Sequence, residues 1–450
     1  MHTIFITTKP IPISKTLIML SFCFFYFLLF LAFKKIQFSK LALFFKPVQK
    51  PKREMVSTTM ENLPHELVSN ILSRLPAREL LKNKLVCKSW YHLITDPHFT
   101  NNYYSFHNQL QNQEEHLLVI RRPFISSLKT TISLISSTFN DPKKHVSSSL
   151  LNPPEQYNSE HKYWSEIMGP CNGIYLLQGN PNVLMNASLQ QFKALPESHL
   201  TDSNGIYSLT DYASFGFDPK TNDYKVIVLK DLWLKETDER QKGYWSAELY
   251  SLNSNSWKKL DAETLPLPIE ICGSSSSSSS QVYTYVNNCC HWWSFVNDHE
   301  SQGMKQDFVL SFDIVNEVFR KIKVPRICES SQETFVTLAP FEESSTIGFI
   351  VNPIKGNVKH FDVWVMRDYW DEGSWIKQYS VGSIELEIDR LMGFIGSNRF
   401  LWKCCDDELV LHEHDSQKTK DLKVKDYGKY DDSFRAVVYK ESLVSLQRGM

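Results

Sequence analysis

Single serines, histidines and aspartates are plentiful in this 450-residue chain, so chemistry has to be read from their spacing. There is no G-x-S-x-G nucleophile elbow, no glycine-rich phosphate loop with its lysine and no H-E-x-x-H helix. His412 and His414 are ligand-type side chains at alternate positions, which in a strand share one face. No third or fourth ligand accompanies them, so the pair predicts no metal site. The nine cysteines contain no C-x-x-C. Cys289-Cys290 and Cys404-Cys405 are adjacent, and adjacent strand residues point to opposite faces, a poor geometry for one metal. An odd count without metal spacing fits a reducing compartment, with thiols acting as small core groups. The formal net charge of −1 gives no overall field for nucleic acid or an anionic membrane. The expectation is a non-catalytic binding protein without a cofactor. The enzymatic alternative is a site that has no linear motif.

What the spacing does offer is apolar surface, concentrated in residues 63–106. Leu67, Val68, Ile71, Leu72 and Leu75 recur at helical spacing after Leu63-Pro64. Pro76 ends that run, because the residue before a proline is pushed out of the α region. Residues 77–85 form a second helical run with Leu80, Leu81 and Leu85 on one side, and Val86, Cys87, Trp90, Leu93 and Ile94 form a third stripe, broken at Thr95-Asp96-Pro97. Three or four short helices follow from this pattern. A unit of about forty residues is marginal alone and leans on a neighbour. It also carries more large apolar side chains than such helices can hide, which points to a protein-binding face. The alternative is that the same face docks on the rest of the chain.

The remainder must hold whatever that module serves. Aromatic residues are 13% of the chain, which leans towards β structure. From about Ile167 short apolar runs alternate with turn residues. A unit recurs: a strand, an Asn/Asp-rich turn, an aromatic or apolar residue, then a strand carrying lysine. It is clearest at residues 247–260 and 309–325, with weaker copies at 183–196, 363–381 and 409–424. Spacings of roughly 46 to 64 residues suggest propeller blades, each unable to bury both faces alone. A β-sandwich with similar hairpins is the alternative. The expected fold class is α+β multidomain, a small all-α module ahead of a mostly-β domain. The expected boundaries are a leader at 1–54, the helical module at 60–106, a connecting segment at 107–160 and the β domain at 161–440.

Two sets of motifs carry a family resemblance. Leu63-Pro64, Ile71-Leu72, Leu75-Pro76, Leu80-Leu81, Val86-Cys87-Lys88-Ser89-Trp90 and Leu93-Ile94 resemble an F-box. Gly169-Pro170-Cys171-Asn172-Gly173, residues 216–226 (GFDPKTNDYKV) and residues 249–257 (LYSLNSNSW) resemble the F-box-associated, kelch-like domain of plant F-box proteins. The resemblance implies the substrate-recruiting subunit of a cullin-based SCF ubiquitin ligase. It implies a Skp-class adaptor as partner and, through it, cullin, with a protein substrate held by the β domain. It also implies that Leu63, Pro64, Ile71, Leu75, Pro76, Leu81, Val86 and Trp90 lie in or beneath the adaptor interface, some of them as F-box core. Within the family the texture resembles the S-locus F-box group of flowering plants, which acts in pollen on pistil S-ribonucleases in self-incompatibility. The acid-rich stretch 385–415, eight Asp or Glu, suits steering of a basic ribonuclease. The runner-up is a general plant F-box adaptor with another target.

Residues 17–33 are almost wholly apolar and near the lower limit for a membrane span. Lys34, Lys35, Lys40, Lys46, Lys50, Lys52 and Arg53 follow, against Lys9 and Lys15 before it. If the segment inserts, this bias leaves the F-box in the cytosol and makes a membrane-tethered scaffold the rival function. If the leader is dispensable, as Met55 and Met60 just ahead of the F-box allow, the protein is cytoplasmic, with the nucleus open to it.

Overall fold

The computed structural model describes residues 64–450 apart from 111–115, 122–129, 137–148, 152, 158–163, 199–205, 235–236, 238, 262–268, 273–278, 298–304, 327–333, 342–344, 354–358, 385–387, 396–397, 405–407, 426–433 and 448–450. Leu63, the apolar run 17–33 and most of the seven-serine run lie outside the described residues. No described helix is long and apolar enough to cross a membrane.

Four helices open the described chain: α1 (His65–Leu72), α2 (Ala77–Asn83), α3 (Lys88–Thr95) and α4 (Pro97–Leu110). Pro64 and Pro76 precede α1 and α2 with φ of −54° and −57°, the angle the ring imposes. α1 stops at Leu72, earlier than the apolar spacing suggests: Ser73 keeps α-region angles, and the Arg74 and Leu75 N–H groups bond three residues back to Ile71 and Leu72, a tightened last turn ahead of Pro76. Thr95-Asp96-Pro97 ends one helix and starts the next. The Asp96 carboxylate accepts the Phe99 N–H at 3.0 Å, and Pro97 occupies the first helical position.

The strands form six sheets. Blade I takes β1 (His116–Arg121), β2 (Thr131–Ser136) and β3 (Ser149–Leu151), so residues 107–160, expected as a connecting segment with a first strand at 117–120 and strand fragments after it, supply three strands of the propeller. Blade II is β4 (Trp164–Cys171), β5 (Ile174–Gly179), β6 (Val183–Asn186) and β7 (Gln191–Ala194). Blade III is β8 (Ile206–Asp218), β9 (Asp223–Leu234), β10 (Glu239–Ser251) and β11 (Ser256–Leu260). Two short strands, β12 (Glu270–Ile271) and β13 (Ser279–Gln281), come next. Then follow β14 (Tyr285–Val286), β15 (Cys289–Asn297), β16 (Lys305–Asp313) and β17 (Val318–Lys323), which with β12 make blade IV. Blade V is β18 (Thr334–Phe341), β19 (Thr346–Pro353), β20 (Lys359–Met366) and β21 (Trp375–Ile384), edged by β13 in parallel with β18. Blade VI is β22 (Ile388–Ile395), β23 (Arg399–Cys404), β24 (Glu408–Glu413) and β25 (Lys418–Lys425). Finally β26 (Phe434–Tyr439) pairs antiparallel with β1, so the last strand of the chain completes the first blade.

The period-2 geometry of a strand explains why these sheets close into a ring. Neighbouring residues point into opposite gaps, so each blade feeds two cores. Leu118 and Ile120 pack against Tyr175 and Leu177 between blades I and II. Leu176 packs with Val226 and Val228 in the next gap, while Ile227 and Leu229 turn the other way onto Trp292. Trp293 faces Phe349 between blades IV and V, and Val363 meets Trp402 between V and VI. Leu401 and Leu411 then reach Leu117 and Val119, closing the circuit as a six-bladed propeller. The five recurring sequence units are the third and fourth strands, with their turn, of blades II to VI. Blade I carries no such unit, because its strands come from the two ends of the domain and twelve residues separate β2 from β3.

The family-like motifs become packing devices. Lys225 is buried, with its ammonium 2.9 Å from Asp218, 3.1 Å from Glu317 and 3.2 Å from the Ile314 carbonyl. Glu317 lies in the turn before β17, so Lys225, the second lysine of GFDPKTNDYKV, ties blade III to blade IV. Burial pushes the Asp218 carboxyl up, but the Thr221 hydroxyl, Lys225 and the Lys220 N–H outweigh it, leaving it below the usual range. At Gly173 (φ +74°) an added Cβ would fall 2.4 Å from the Ser442 Cβ, so this turn admits no side chain.

Candidate docking surface

The helical module has two faces. Leu72, Ala77, Leu80, Leu93, Ile94, Phe99 and Tyr103 form its core, and that core takes in Leu189 from blade II and Leu443 from the C-terminal tail. One face therefore docks on the propeller, through a tail that follows β26 as an extended strap. Its side chains alternate, as an extended chain requires. Leu443 enters the helical core, and the Glu441 carboxylate accepts the Ala77 N–H at 2.7 Å and lies 3.4 Å from His107 Nδ1. Val444 and Leu446 enter the core between blades II and III. The Ser442 N–H donates to Ser188 Oγ at 2.9 Å, and Asn186 Nδ2 donates to the Ser442 and Val444 carbonyls at 3.3 and 2.8 Å. Inside the module the Tyr103 hydroxyl donates to the Leu75 carbonyl at 3.0 Å, and His107 Nε2 lies 2.9 Å from the Ser73 carbonyl. Burial, then the nearby Glu441 carboxylate, push the Tyr103 hydroxyl far above its ordinary pKa.

The other face is left uncovered. Leu85 is 88% exposed and Val86 61%, beside exposed Leu67 and Tyr91. Pro64, Pro76 and Cys87 are exposed too. Of the residues the resemblance singled out, Pro64, Pro76 and Val86 stand at the surface. Ile71 is half-buried, and Leu75, Leu81 and Trp90 are half-buried against the module's core. Leu63 lies outside the described residues. Leu67, Leu85 and Tyr91 were not singled out, yet they are among the module's most exposed large side chains. Helical spacing marks Leu67 and Leu85 as apolar positions but does not say which side the propeller covers.

The remaining candidate chemistry disperses. His412 Nδ1 meets the Thr419 hydroxyl at 3.0 Å, while His414 stacks on Tyr379 with centroids 4.4 Å apart. Among the described residues no three His, Cys, Asp or Glu side chains are grouped to hold a metal. Cys289 and Cys290 are both buried and free, and burial raises both thiols. Cys404 is buried and in no disulfide, and Cys405 lies outside the described residues.

Comparison with known proteins agrees with this geometry. Residues 123–446 match the model of the F-box associated beta propeller domain, and residues 60–104 match the F-box-like model. The F-box protein CPR1 of Arabidopsis thaliana is 23% identical over 328 residues, covering 68% of this chain and 70% of that protein. An F-box/kelch-repeat protein of the same plant is 24% identical over 318 residues, covering 68% of this chain and 76% of its own length.

Proposed function

Since the chain belongs to the F-box-associated β-propeller family and carries an F-box-like module, we propose that it is the substrate-recognition subunit of an SCF-type ubiquitin ligase. The observation that carries this reading is the set of uncovered apolar side chains on the helical module, Leu67 on α1, Leu85 and Val86 in the turn after α2 and Tyr91 on α3, while the module's core is committed to the propeller. A Skp-class adaptor buries that face, and cullin joins through the adaptor. The chain contributes no catalytic group of its own. Its effect on ubiquitin transfer is proximity, since a bound target experiences a high effective concentration of the reactive thioester. The protein works in the cytoplasm or nucleus, where the adaptor and its target meet.

The finer reading is a pollen S-locus F-box protein acting on pistil S-ribonuclease. Its support is the loop texture and the acid-rich stretch 385–415, of which 385–387, 396–397 and 405–407 lie outside the described residues. The alternative is a plant adaptor for another target protein.

The test is capture of the full chain by a recombinant Skp-class adaptor, compared with Leu85→Asp and Val86→Asp. Both side chains are exposed, so the variants keep the wild-type melting temperature and lose capture. Wild-type capture by both variants would place the interface elsewhere. Pull-down from pollen extract, read for a ribonuclease, decides the finer reading.

A further inference from the structure

Four turns of the propeller share one device. In blades II, III, IV and VI four residues join the third and fourth strands, and the last of them is left-handed: Gln190, Asn255, Glu317 and Gln417, with φ of 54°, 51°, 57° and 54°. Blade V departs from this. Eight residues, 367–374, join β20 to β21, and the positive φ falls on Trp370, at 84°. A bulky side chain is disfavoured there, and such strain is retained where the surroundings impose it and function uses it.

The surroundings do impose it. The Asp371 N–H donates to the Asp368 carbonyl at 3.0 Å, and Ser374 Oγ donates to the same carbonyl at 2.9 Å. The Gly373 N–H donates to Asp371 Oδ1 at 2.9 Å. The Tyr369 hydroxyl is held 2.6 Å from Nε2 of buried His291. The loop thus anchors Tyr369 inside and leaves Trp370 43% exposed. Among the described propeller residues Trp370 and Val318 are the large apolar side chains left exposed. Val318 and Arg320 lie on one side of β17, and the Arg320 guanidinium sits 4.8 Å from the Trp370 ring centroid. Arg320 and Arg367 have no side-chain hydrogen bond or ion pair with a described residue. Of the loop's carboxylates, Glu372 accepts the Lys323 N–H and lies 4.0 Å from the Lys323 ammonium, and Asp371 accepts the Gly373 N–H, while the neighbouring Asp313 accepts the Val315 and Asn316 N–H groups.

We propose that Trp370, Arg320, Arg367 and Val318 form a docking surface for an acidic peptide segment of the substrate that carries a large apolar side chain. The guanidinium groups take the carboxylates, and the pre-oriented indole with Val318 takes the apolar group. Tryptophan and arginine are the residue types that dominate such contacts, and a loop already ordered loses little entropy on binding. This rests on the adaptor reading and names the class of segment it would recruit.

The experiment pans a random-peptide phage library on the full chain bound to a Skp-class adaptor, then measures the selected peptides by fluorescence anisotropy. The expected consensus is acidic around an apolar residue. Trp370→Gly weakens binding about tenfold or more while leaving the melting temperature unlowered, because glycine tolerates the positive φ. Arg320→Glu weakens binding similarly, and a Glu→Lys change in the peptide restores it. No enriched peptide, a basic consensus, binding to both variants within twofold of wild type, or a lower melting temperature for Trp370→Gly would overturn the proposal. Adaptor capture by the wild-type chain is scored separately, so failure of the ligase reading is seen independently.

Discussion

Replacing Glu441 by alanine tests the joint between the helical module and the propeller. Its carboxylate supplies what Pro76 cannot, an acceptor at the start of α2, with 2.7 Å to the Ala77 N–H. Losing an N-cap acceptor costs about 1 kcal/mol, and an acceptor that is charged raises this to about 2 kcal/mol. The propeller's own cores are untouched, so the cost falls on undocking of the module and raises that opening equilibrium roughly 30-fold. Native-state hydrogen exchange reads it directly. The backbone amides of α2 should lose protection by about that factor, while those of β9 and β19 keep theirs. Glu441→Gln retains an acceptor oxygen and should show a smaller loss. Unchanged α2 protection would refute the reasoning, and equal loss in the blade strands would show that the tail stabilises the whole domain rather than the joint.

Gly173→Ala puts a Cβ 2.4 Å from the Ser442 Cβ at a left-handed position, so it should cost about 3 kcal/mol in urea unfolding. Lys225→Met strands buried Asp218 and its partner Glu317, so it should destabilise by about 3 kcal/mol, and a smaller loss is expected when Asp218→Asn accompanies it. Acidification should act in two stages, followed as urea midpoints against pH. Burial pushes the His291 imidazole down to about 4, so the folded state resists a proton that the unfolded chain accepts near 6.5. That contribution is complete above about pH 6.5 and is lost as the pH falls towards 4, and His291→Gln should remove this limb. Asp218 and Glu317 are held below the ordinary carboxylate range, each raised by burial but lowered further by its hydrogen-bonded and charged partners. Their contribution is present above about pH 4 and disappears below it as they protonate.

The helical module was legible in residues 63–106 because proline positions and apolar spacing are local signals that survive without a tertiary context. The hairpins were legible for the same reason, and all five recurring units are real third-to-fourth-strand pairs. The β domain's closure was not legible, since β26 pairs with β1 across more than three hundred residues and neither strand announces its partner. The two family motifs were recognisable as strings, but their physical use appeared only in the fold. Lys225 meets Glu317 from the next blade, and Gly173 makes room for Ser442.

Periodicity determined which residues of the module are apolar, and tertiary structure alone decided which of them the propeller covers. Leu80 and Leu85 read alike as one helical run over 77–85, yet α2 ends at Asn83, and Leu80 is wholly buried while Leu85, in the turn beyond, is almost wholly exposed. The reason is that burial depends on a second surface, here Leu189 and Leu443, brought to the module from over a hundred and over three hundred and fifty positions away. Trp370 makes the same point on the propeller. Among many aromatic residues it reads as one more core side chain, until a turn longer than its counterparts places it at positive φ and turns it outward.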